Sequence, residues 1–264
     1  MILAEDLHKS FDGVEVLRGV SLRVEKGEIL ALIGQSGGGK SVFLRHLAGL
    51  MRPDRGRVVI DGNDLCCLSG KELRRLRSRF GFLFQSGALF DSMSVFDNVA
   101  FPLQEKTRMS SEEIRHRVFA ELEKVGLVGS EDKLPAQISG GMIKRAALAR
   151  ALARGPEIML FDEPTTGLDP VIVHSIHDLI QSSHQRLGFT GVIVTHEVPC
   201  IFQIVQKVAL LHQGVIQLVG TPEEVLTSKD PVVRDFLSGC VPPGQSQMLE
   251  LELQRFLQRT RRNS

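Results

Sequence analysis

Residues 28–47 read "EILALIGQSGGGKSVFLRHL", and this stretch decides the fold. Its middle, "GQSGGGKS" at 34–41, fits the pattern G-x-x-x-x-G-K-[ST] between an apolar, strand-like run and a helix predicted to begin at Lys40. Glycines let main-chain N–H groups turn towards phosphate oxygens, and a helix N-terminus adds the positive end of its dipole. The stretch predicts a phosphate-binding loop, with a glycine-rich turn that binds no ligand as the alternative.

Two side chains of this loop have distinct predicted roles. We expect Lys40 to reach the β- and γ-phosphates of a nucleotide and the Ser41 hydroxyl to bind Mg²⁺. The predicted nucleotide-binding loop comprises Gly34, Gln35, Ser36, Gly37, Gly38, Gly39, Lys40, Ser41 and Val42.

A pair of acidic residues ends a second apolar strand. "EIMLFDEP" at 157–164 places Asp162 and Glu163 at its carboxyl end, the edge where phosphate sites form in open α/β sheets. Adjacent strand residues point to opposite faces, but the chain turns at a strand end, so both can reach one site. We predict that Asp162 holds Mg²⁺ and that Glu163 is the general base for the attacking water. Capping of a following helix is the alternative role for such acids.

The rest of the chain alternates in pattern. Short strand-like runs fill the first third, and helical spacing follows from about 95 to 154, with a capping box predicted at Ser110 and Glu113. Strand and helix signals then alternate again, with a helix predicted over 170–187 and two strands about Gly214. The pattern predicts an α/β chain with a parallel core and a helical insertion in its middle.

Composition restricts the possible partners. The 264 residues are 42% hydrophobic and 24% charged with a net charge of +1, so there is no large basic field for nucleic acid. No apolar run approaches the roughly 18–20 residues that span a bilayer, and the start lacks a secretory signal, so we expect a cytosolic protein. The spacing of the four cysteines fits no metal site and favours reduced, structural thiols.

The order of the motifs along the chain resembles the order found in one known protein family. "ISGGM" at 138–142 stands between Gln85 and "IMLFDE", and "TGLD" at 166–169 and His196 in "VTHE" follow. Across residues 1–237 the chain resembles the ATP-binding cassette (ABC) ATPases. The resemblance implies an α/β fold, a P-loop NTPase (RecA-like) core with an N-terminal antiparallel β-subdomain and a helical subdomain inserted at about 86–155. It also implies ATP and Mg²⁺ as cofactors. A P-loop kinase or GTPase is disfavoured because it would lack "ISGGM" and "TGLD".

The resemblance also implies a homodimer that binds two ATP molecules head to tail. Ser139, Gly140 and Gly141 would close on the other subunit's nucleotide, and Asp169 would cross the dimer interface. Ser139 and Asp169 have a local alternative as helix N-caps.

Three more residues take roles from the resemblance. His196 would contact the γ-phosphate, and Gln85 would sense Mg²⁺ and the attacking water. Phe11 would stack on adenine, where family members often have tyrosine; core packing is the alternative.

"FQSGALFDSMSVFDNVAFPL" at 84–103 surrounds Gln85 with apolar residues. The family receives a helix of the membrane permease here, so we expect some of these residues to form a socket and others to be buried. This stretch, "SGGM" and "DEPTTGLDP" are similar to the ATPases of Mla-type (maintenance of lipid asymmetry) transporters. That similarity implies phospholipid transport at the cytoplasmic face of the inner membrane, through a permease and an MCE-type lipid-binding protein. Transport of another substrate and a soluble ABC protein are the alternatives.

Residues 238–264 read as a linker followed by a short amphipathic helix. Relatives in lipid transport carry C-terminal extensions that reach the other subunit. A membrane-surface helix and a disordered end are the alternatives.

Overall fold

The computed structural model describes residues 1–198 and 200–240. The linker and the tail helix predicted beyond Cys240 lie outside the described residues. The last described helix runs to Gly239, two residues past the end of the predicted ATPase domain.

Strands and helices alternate along the chain much as predicted. The strands are β1 (Ile2–Phe11), β2 (Val14–Val24), β3 (Ile29–Ile33), β4 (Arg55–Ile60), β5 (Asn63–Asp64), β6 (Phe80–Leu83), β7 (Ile158–Asp162), β8 (Thr190–Thr195), β9 (Lys207–His212) and β10 (Val215–Gly220). The helices are α1 (Lys40–Leu47), α2 (Gly70–Arg77), α3 (Val95–Lys106), α4 (Ser111–Lys124), α5 (Gly140–Leu152), α6 (Pro170–Leu187), α7 (Pro222–Leu226) and α8 (Pro231–Gly239). The predictions of a helix from Lys40 and of a helix over 170–187 are confirmed.

The first of two compact units comprises Met1–Ser69 and the described residues from Val192 onward. Its antiparallel sheet has the order β2-β1-β4-β5, which confirms the predicted N-terminal β-subdomain. A second set of strands has the order β10-β9-β3-β8, in which β3 is parallel to β9 and every residue of β3 is buried. The predicted strand pair about Gly214 is the antiparallel pair β9 and β10.

The second compact unit comprises Gly70–Gly191. It contains the parallel pair β6 and β7, and helices α3, α4 and α5, which lie inside the stretch predicted as the helical insertion. The apolar faces of these helices form one core, which includes Val99, Val118 and Leu122. The predicted capping box is confirmed, because Ser110 Oγ accepts from Glu113 N at 3.3 Å and Glu113 Oε2 accepts from Ser110 N at 2.6 Å.

A buried carboxylate joins α4 to α6 inside the second unit. Glu121 has a nearly inaccessible side chain, and three cations lie within ion-pair distance of it: Lys124 at 2.9 Å, Arg186 at 3.3 Å and Arg117 at 3.5 Å. Paired burial offsets the high cost of removing the carboxylate from water. The charge cluster therefore attaches the helical insertion to α6.

Two further expectations concern the membrane and the cysteines. Among the described residues, no helix combines the length and the hydropathy needed to cross a bilayer. All four cysteines are free thiols, as predicted.

Candidate nucleotide-binding and catalytic site

The glycine-rich loop lies in the first unit, between the carboxyl end of β3 and the start of α1, as predicted. Gly39 precedes α1 with φ of 93°, a left-handed conformation that favours glycine. A Cβ at Gly39 would also lie 3.0 Å from Val16 Cγ1 and 3.0 Å from the Val16 carbonyl oxygen. The close approach to β2 therefore requires glycine at this end of the loop.

Lys40 is the first residue of α1, and its side chain folds back onto the glycine-rich loop. It is only 4% exposed, and its ammonium donates to the carbonyl oxygens of Gly34 at 2.8 Å and Gln35 at 2.9 Å. These bonds hold the positive charge over the loop, while Gln35, Ser36 and Gly37 are exposed. Ser41 and Val42 follow in the first turn of α1.

Two more predicted site residues lie in the first unit. Phe11 ends β1 and its side chain is 40% exposed, with Lys9 Nζ at 5.6 Å from the ring centroid. The alternative in which Phe11 packs in the core is therefore wrong, and the ring is available for stacking. His196 follows Thr195, the last residue of β8, and the Thr195 hydroxyl accepts from Glu197 N at 3.0 Å as the chain turns.

The acidic pair lies in the second unit, at the carboxyl end of β7. Asp162 is the last residue of the strand and is buried, and Glu163 has φ of 49°. A left-handed conformation costs a non-glycine residue of order 1–3 kcal/mol, and such strain clusters at functional sites. Thr166 Oγ1 donates to Glu163 Oε2 at 2.8 Å, which orients the carboxylate. The predicted turn after Asp162 is thus present.

Gln85 follows β6 with an exposed side chain, and its main chain is held by a residue that the sequence analysis missed. Lys144 of α5 is buried, and its ammonium donates to the carbonyl oxygen of Gln85 and, at 3.4 Å, to that of Glu163. One signal was available, because Lys144 is the charged member of the buried stripe Gly141, Lys144, Leu148 on α5.

Ser139 directly precedes α5 and is exposed. Its hydroxyl accepts from Met142 N at 3.3 Å, so the predicted N-cap is present. The two glycines after it differ. A Cβ at Gly141 would lie 2.9 Å from Ile172 Cγ2, whereas a Cβ at Gly140 would find its nearest atom, Leu168 Cδ2, at 3.7 Å. Packing against α6 thus requires Gly141, and nothing in the described chain requires Gly140.

Asp169 caps α6 in the same way. Its Oδ1 accepts hydrogen bonds from Val171 N and Ile172 N at 3.1 Å each. The N-cap role given as the alternative for Asp169 is therefore present. The residue is exposed. Capping uses one carboxylate oxygen and leaves the other available to a second molecule.

The apolar stretch around Gln85 is divided between core and surface, as expected. Val99 is buried, and Leu89 and Phe96 pack against the helical core. Phe84 and Phe90 remain 39% and 43% exposed.

Comparisons with known proteins agree with this geometry. The family model described as ABC transporter matches residues 17–166. The chain is 43% identical to the intermembrane phospholipid transport system ATP-binding protein MlaF of Haemophilus influenzae, over 83% of each chain. It is 41% identical to MlaF of Escherichia coli K12, over 85% of this chain and 83% of that one.

A second group of relatives comes from mycobacteria. The chain is 47% identical to the probable ribonucleotide transport ATP-binding protein mkl of Mycobacterium leprae, over 90% of this chain. It spans 69% of the length of that relative, and 65% of the length of the Mycobacterium tuberculosis protein with the same name.

Solved structures show the same fold. A dimeric ATP-binding cassette in a post-hydrolysis state with ADP and Pi superposes with a TM-score of 0.78 and 32% identity, over 84% of this chain and 99% of that one. cbiO1 of Clostridium perfringens, part of an ABC transporter complex, gives a TM-score of 0.79 and 31% identity, over 94% and 98%.

Cassettes of this kind dimerise and work with a membrane permease. Because the family model covers more than half of the chain and MlaF relatives match it over most of both lengths, the chain belongs to the ABC transporter family, as an ATP-binding subunit that hydrolyses ATP.

Proposed function

We propose that this ATPase subunit drives phospholipid movement between the membranes of a bacterial envelope. The observation that carries the proposal is the match to MlaF of Haemophilus influenzae, a protein named for intermembrane phospholipid transport, over 83% of both chains. Because the match covers the same large share of this chain and of the relative, it supports a common role for the whole subunit rather than for a shared domain alone.

Ribonucleotide transport is the second candidate. The mycobacterial relatives named for it have the higher identity, 47%, but they are longer, and this chain spans 65–69% of their length. The lengths favour phospholipid as the substrate, and the experiment below includes both.

For the chemistry, we propose that the loop from Gly34 to Val42 binds the ATP phosphates, with Phe11 against the adenine ring. Lys40 would stabilise the charge that develops on the γ-phosphate, and Glu163 would take a proton from the attacking water. His196 would contact the γ-phosphate and position the reacting groups. The turn at Glu163 and its bond from Thr166 support this role, because they set the direction of the carboxylate.

The proposed metal is Mg²⁺, and the donor set fits it. Ser41, Gln85 and Asp162 offer a hydroxyl, an amide oxygen and a carboxylate, the oxygen donors that this ion prefers. The described residues contain no cluster of three or more His, Cys, Asp or Glu side chains that could hold a metal by themselves. This agrees with Mg²⁺, which is usually bound through one or two carboxylates together with substrate phosphates. When bound, the ion would neutralise charge on the phosphates.

We further propose that Ser139, Gly140 and Asp169 serve the nucleotide of a second copy in a homodimer. Ser139 and Gly140 lie exposed at the N-terminus of α5, where the helix dipole favours an anion. Gly140 has room for a side chain within its own chain, so its lack of one serves close approach by another molecule. Gly141 would share the site, although packing against α6 already explains it.

The proposed partners are an integral membrane permease and an MCE-type lipid-binding protein. The subunit would lie at the cytoplasmic face of the inner membrane, attached through the permease at the exposed Phe84 and Phe90.

Reconstitution tests this function. The complex is purified with the products of the neighbouring genes and placed in vesicles that contain fluorescent phospholipid and, separately, labelled ribonucleotide. We expect ATP-dependent phospholipid movement that is lost with Glu163→Gln. ATP-dependent ribonucleotide movement without phospholipid movement would select the second candidate.

A further inference from the structure

The exposed ring of Phe11 lies beside a tight turn in the first unit. β1 ends at Phe11, β2 begins at Val14, and these two residues are paired across the turn. Asp12 and Gly13 between them have φ of 49° and 80°. Positive φ at both central positions is typical of a type I′ turn, which matches the twist of the flanking strands. The turn therefore fixes the main chain of Phe11, and neighbouring side chains must fix its ring.

Lys9 is the cation beside this ring. Its Nζ lies over the ring of Phe11, 5.6 Å from the centroid, within the range of a cation–π interaction. The Lys9 side chain is only 18% exposed, so neighbouring protein covers most of it. One face of the ring is thus occupied by an ammonium that is partly shielded from water, and the attraction opposes rotation of the ring.

Asp54 holds both Lys9 and the main chain that leads to the ring. Its Oδ1 accepts from Lys9 Nζ at 2.6 Å, and its Oδ2 accepts from Ser10 N at 2.7 Å. Its own main-chain N–H donates to the carbonyl oxygen of His8 at 2.9 Å. The contact with Lys9, followed by that with Ser10, holds the pKa of the Asp54 carboxyl below its usual range. Asp54 therefore attaches three consecutive residues of β1 to the start of β4.

These bonds occur where the sheet itself holds β1 less regularly. The pairing of β1 with β4 ends at His8 and Arg55, and the register of β1 with β2 shifts between Lys9 and Ser10. The Asp54 side chain is 45% exposed, and an ion pair with so exposed a carboxylate contributes little to the stability of a fold. Its position under an exposed aromatic ring is the feature that indicates a role in binding.

We propose that Lys9 and Asp54 are positioning residues for the nucleotide base. The ion pair holds the Lys9 ammonium against one face of the Phe11 ring, so that adenine stacks on the opposite face. The inference rests on one part of the proposed function, the stacking of adenine on Phe11, and it adds the pair that sets the ring. Because both residues act through the ring, they control affinity for the base and leave the hydrolytic step unchanged.

The test uses the full-length subunit with Mg-ADP and Mg-pyrophosphate, which differ in the nucleoside and share the linked phosphates. Lys9→Met removes the cation and keeps most of the stem, Lys9→Arg keeps the cation, and Asp54→Asn removes the ion pair. Phe11→Leu removes the ring, and Lys26→Met, at an exposed position, is the matched control. Folding is checked by circular dichroism and thermal melting, and affinity is measured by isothermal titration. Lys9→Met and Asp54→Asn break the same pair, so either one suffices if the other does not fold.

We expect Lys9→Met to weaken Mg-ADP binding roughly 3- to 10-fold, because a partly desolvated cation–π contact is lost. Asp54→Asn should act in the same direction, while Lys9→Arg and Lys26→Met should bind nearly as wild type does. Affinity for Mg-pyrophosphate should be unchanged in every variant. In the Phe11→Leu background, Lys9→Met should weaken Mg-ADP binding no further. Steady-state assays of Lys9→Met should show a raised KM for ATP with nearly constant kcat.

If Phe11→Leu weakens Mg-ADP binding but Lys9→Met and Asp54→Asn do not, the inference is wrong and stacking on Phe11 stands. Equal losses for Mg-ADP and Mg-pyrophosphate would also overturn it, since they would assign the pair to the fold or to the phosphates. An equal effect of Lys9→Met with and without the Phe11 ring would mean that the cation acts on the nucleotide directly, against the inference. Wild-type Mg-ADP affinity in Phe11→Leu would instead count against the proposed role of Phe11 itself.

Discussion

The ammonium group of Lys144 donates a hydrogen bond to the main-chain carbonyl oxygen of Gln85, 59 positions earlier in the chain. The same group donates to the carbonyl oxygen of Glu163 at 3.4 Å. Helix α5 therefore holds, through one buried side chain, the backbone of both the predicted metal sensor and the predicted general base.

Replacing Lys144 should affect turnover more than nucleotide binding. Lys144→Met removes both hydrogen bonds, and a shift of about 1 Å in reacting groups can cost roughly 100-fold in rate, so we expect kcat to fall about 10- to 100-fold with a smaller change in KM for ATP. Lys144→Arg should recover part of the loss, because arginine also donates to carbonyl oxygens. Steady-state ATPase assays give both constants, with Lys106→Met, an exposed lysine, as the control. Unchanged kcat in Lys144→Met would show that the contact has no role in positioning.

Glu163→Gln should bind Mg-ATP and hydrolyse it slowly. Loss of a general base usually costs about 10²–10⁴-fold in rate, while the phosphate-binding loop is unaltered. Single-turnover hydrolysis and equilibrium ATP binding separate the two effects. Glu123→Gln, which alters an exposed carboxylate on α4, is the matched control. Turnover of Glu163→Gln within about threefold of wild type would assign the base to another residue.

Ser139→Arg should abolish hydrolysis without unfolding the subunit, because it places a large cation at an exposed helix terminus proposed to meet the second copy. Lys40→Ala should abolish hydrolysis through the phosphate-binding loop. Mixing the two variants tests whether Ser139 acts across a dimer, since the mixed dimer has one site with both defects and one site with neither. We expect ATPase activity to return on mixing. If ATPase activity does not return on mixing, the result would contradict the hypothesis that the two sites act independently and that each is completed by the partner's Ser139.

His177 should make stability depend on pH. Its side chain is 3% exposed, and burial, reinforced by His174, lowers the pKa from 6.5 to about 4. Because the unfolded chain takes up this proton below about pH 6.5 and the folded chain does so only near pH 4, stability is lost as the pH falls through this window. The loss can reach about 3 kcal/mol.

Urea unfolding at pH 7.5 and pH 5 measures this effect. His177→Leu should lose less stability between the two values than wild type, whereas His116→Gln, at an exposed position, should follow wild type. Equal losses in all three proteins would assign the pH dependence to other groups.

Features encoded by neighbouring residues could be predicted from the sequence. The loop "GQSGGGKS" lies between a strand and a helix as predicted, the predicted capping box at Ser110 and Glu113 is present, and the helix over 170–187 has the predicted bounds. Glycine content, hydrophobic period and caps act over a few residues, so they can be read without knowing the fold. Family membership followed from the order of such local motifs. The roles assigned to Gln85, His196 and Asp169 within the site stay predictions.

Only the tertiary structure decided the contacts between distant residues. Phe11 is exposed because of how β1 lies in its sheet. The sequence around Phe11 was compatible with either a buried or an exposed ring. The position of Lys144 in a stripe of α5 with Gly141 and Leu148 hints at burial, but its partners are fixed only when the segment after β6 and the turn after β7 pack against α5. Such relationships depend on which surfaces meet after folding, and side-chain burial and hydrogen-bond partners are set there, not by spacing along the chain.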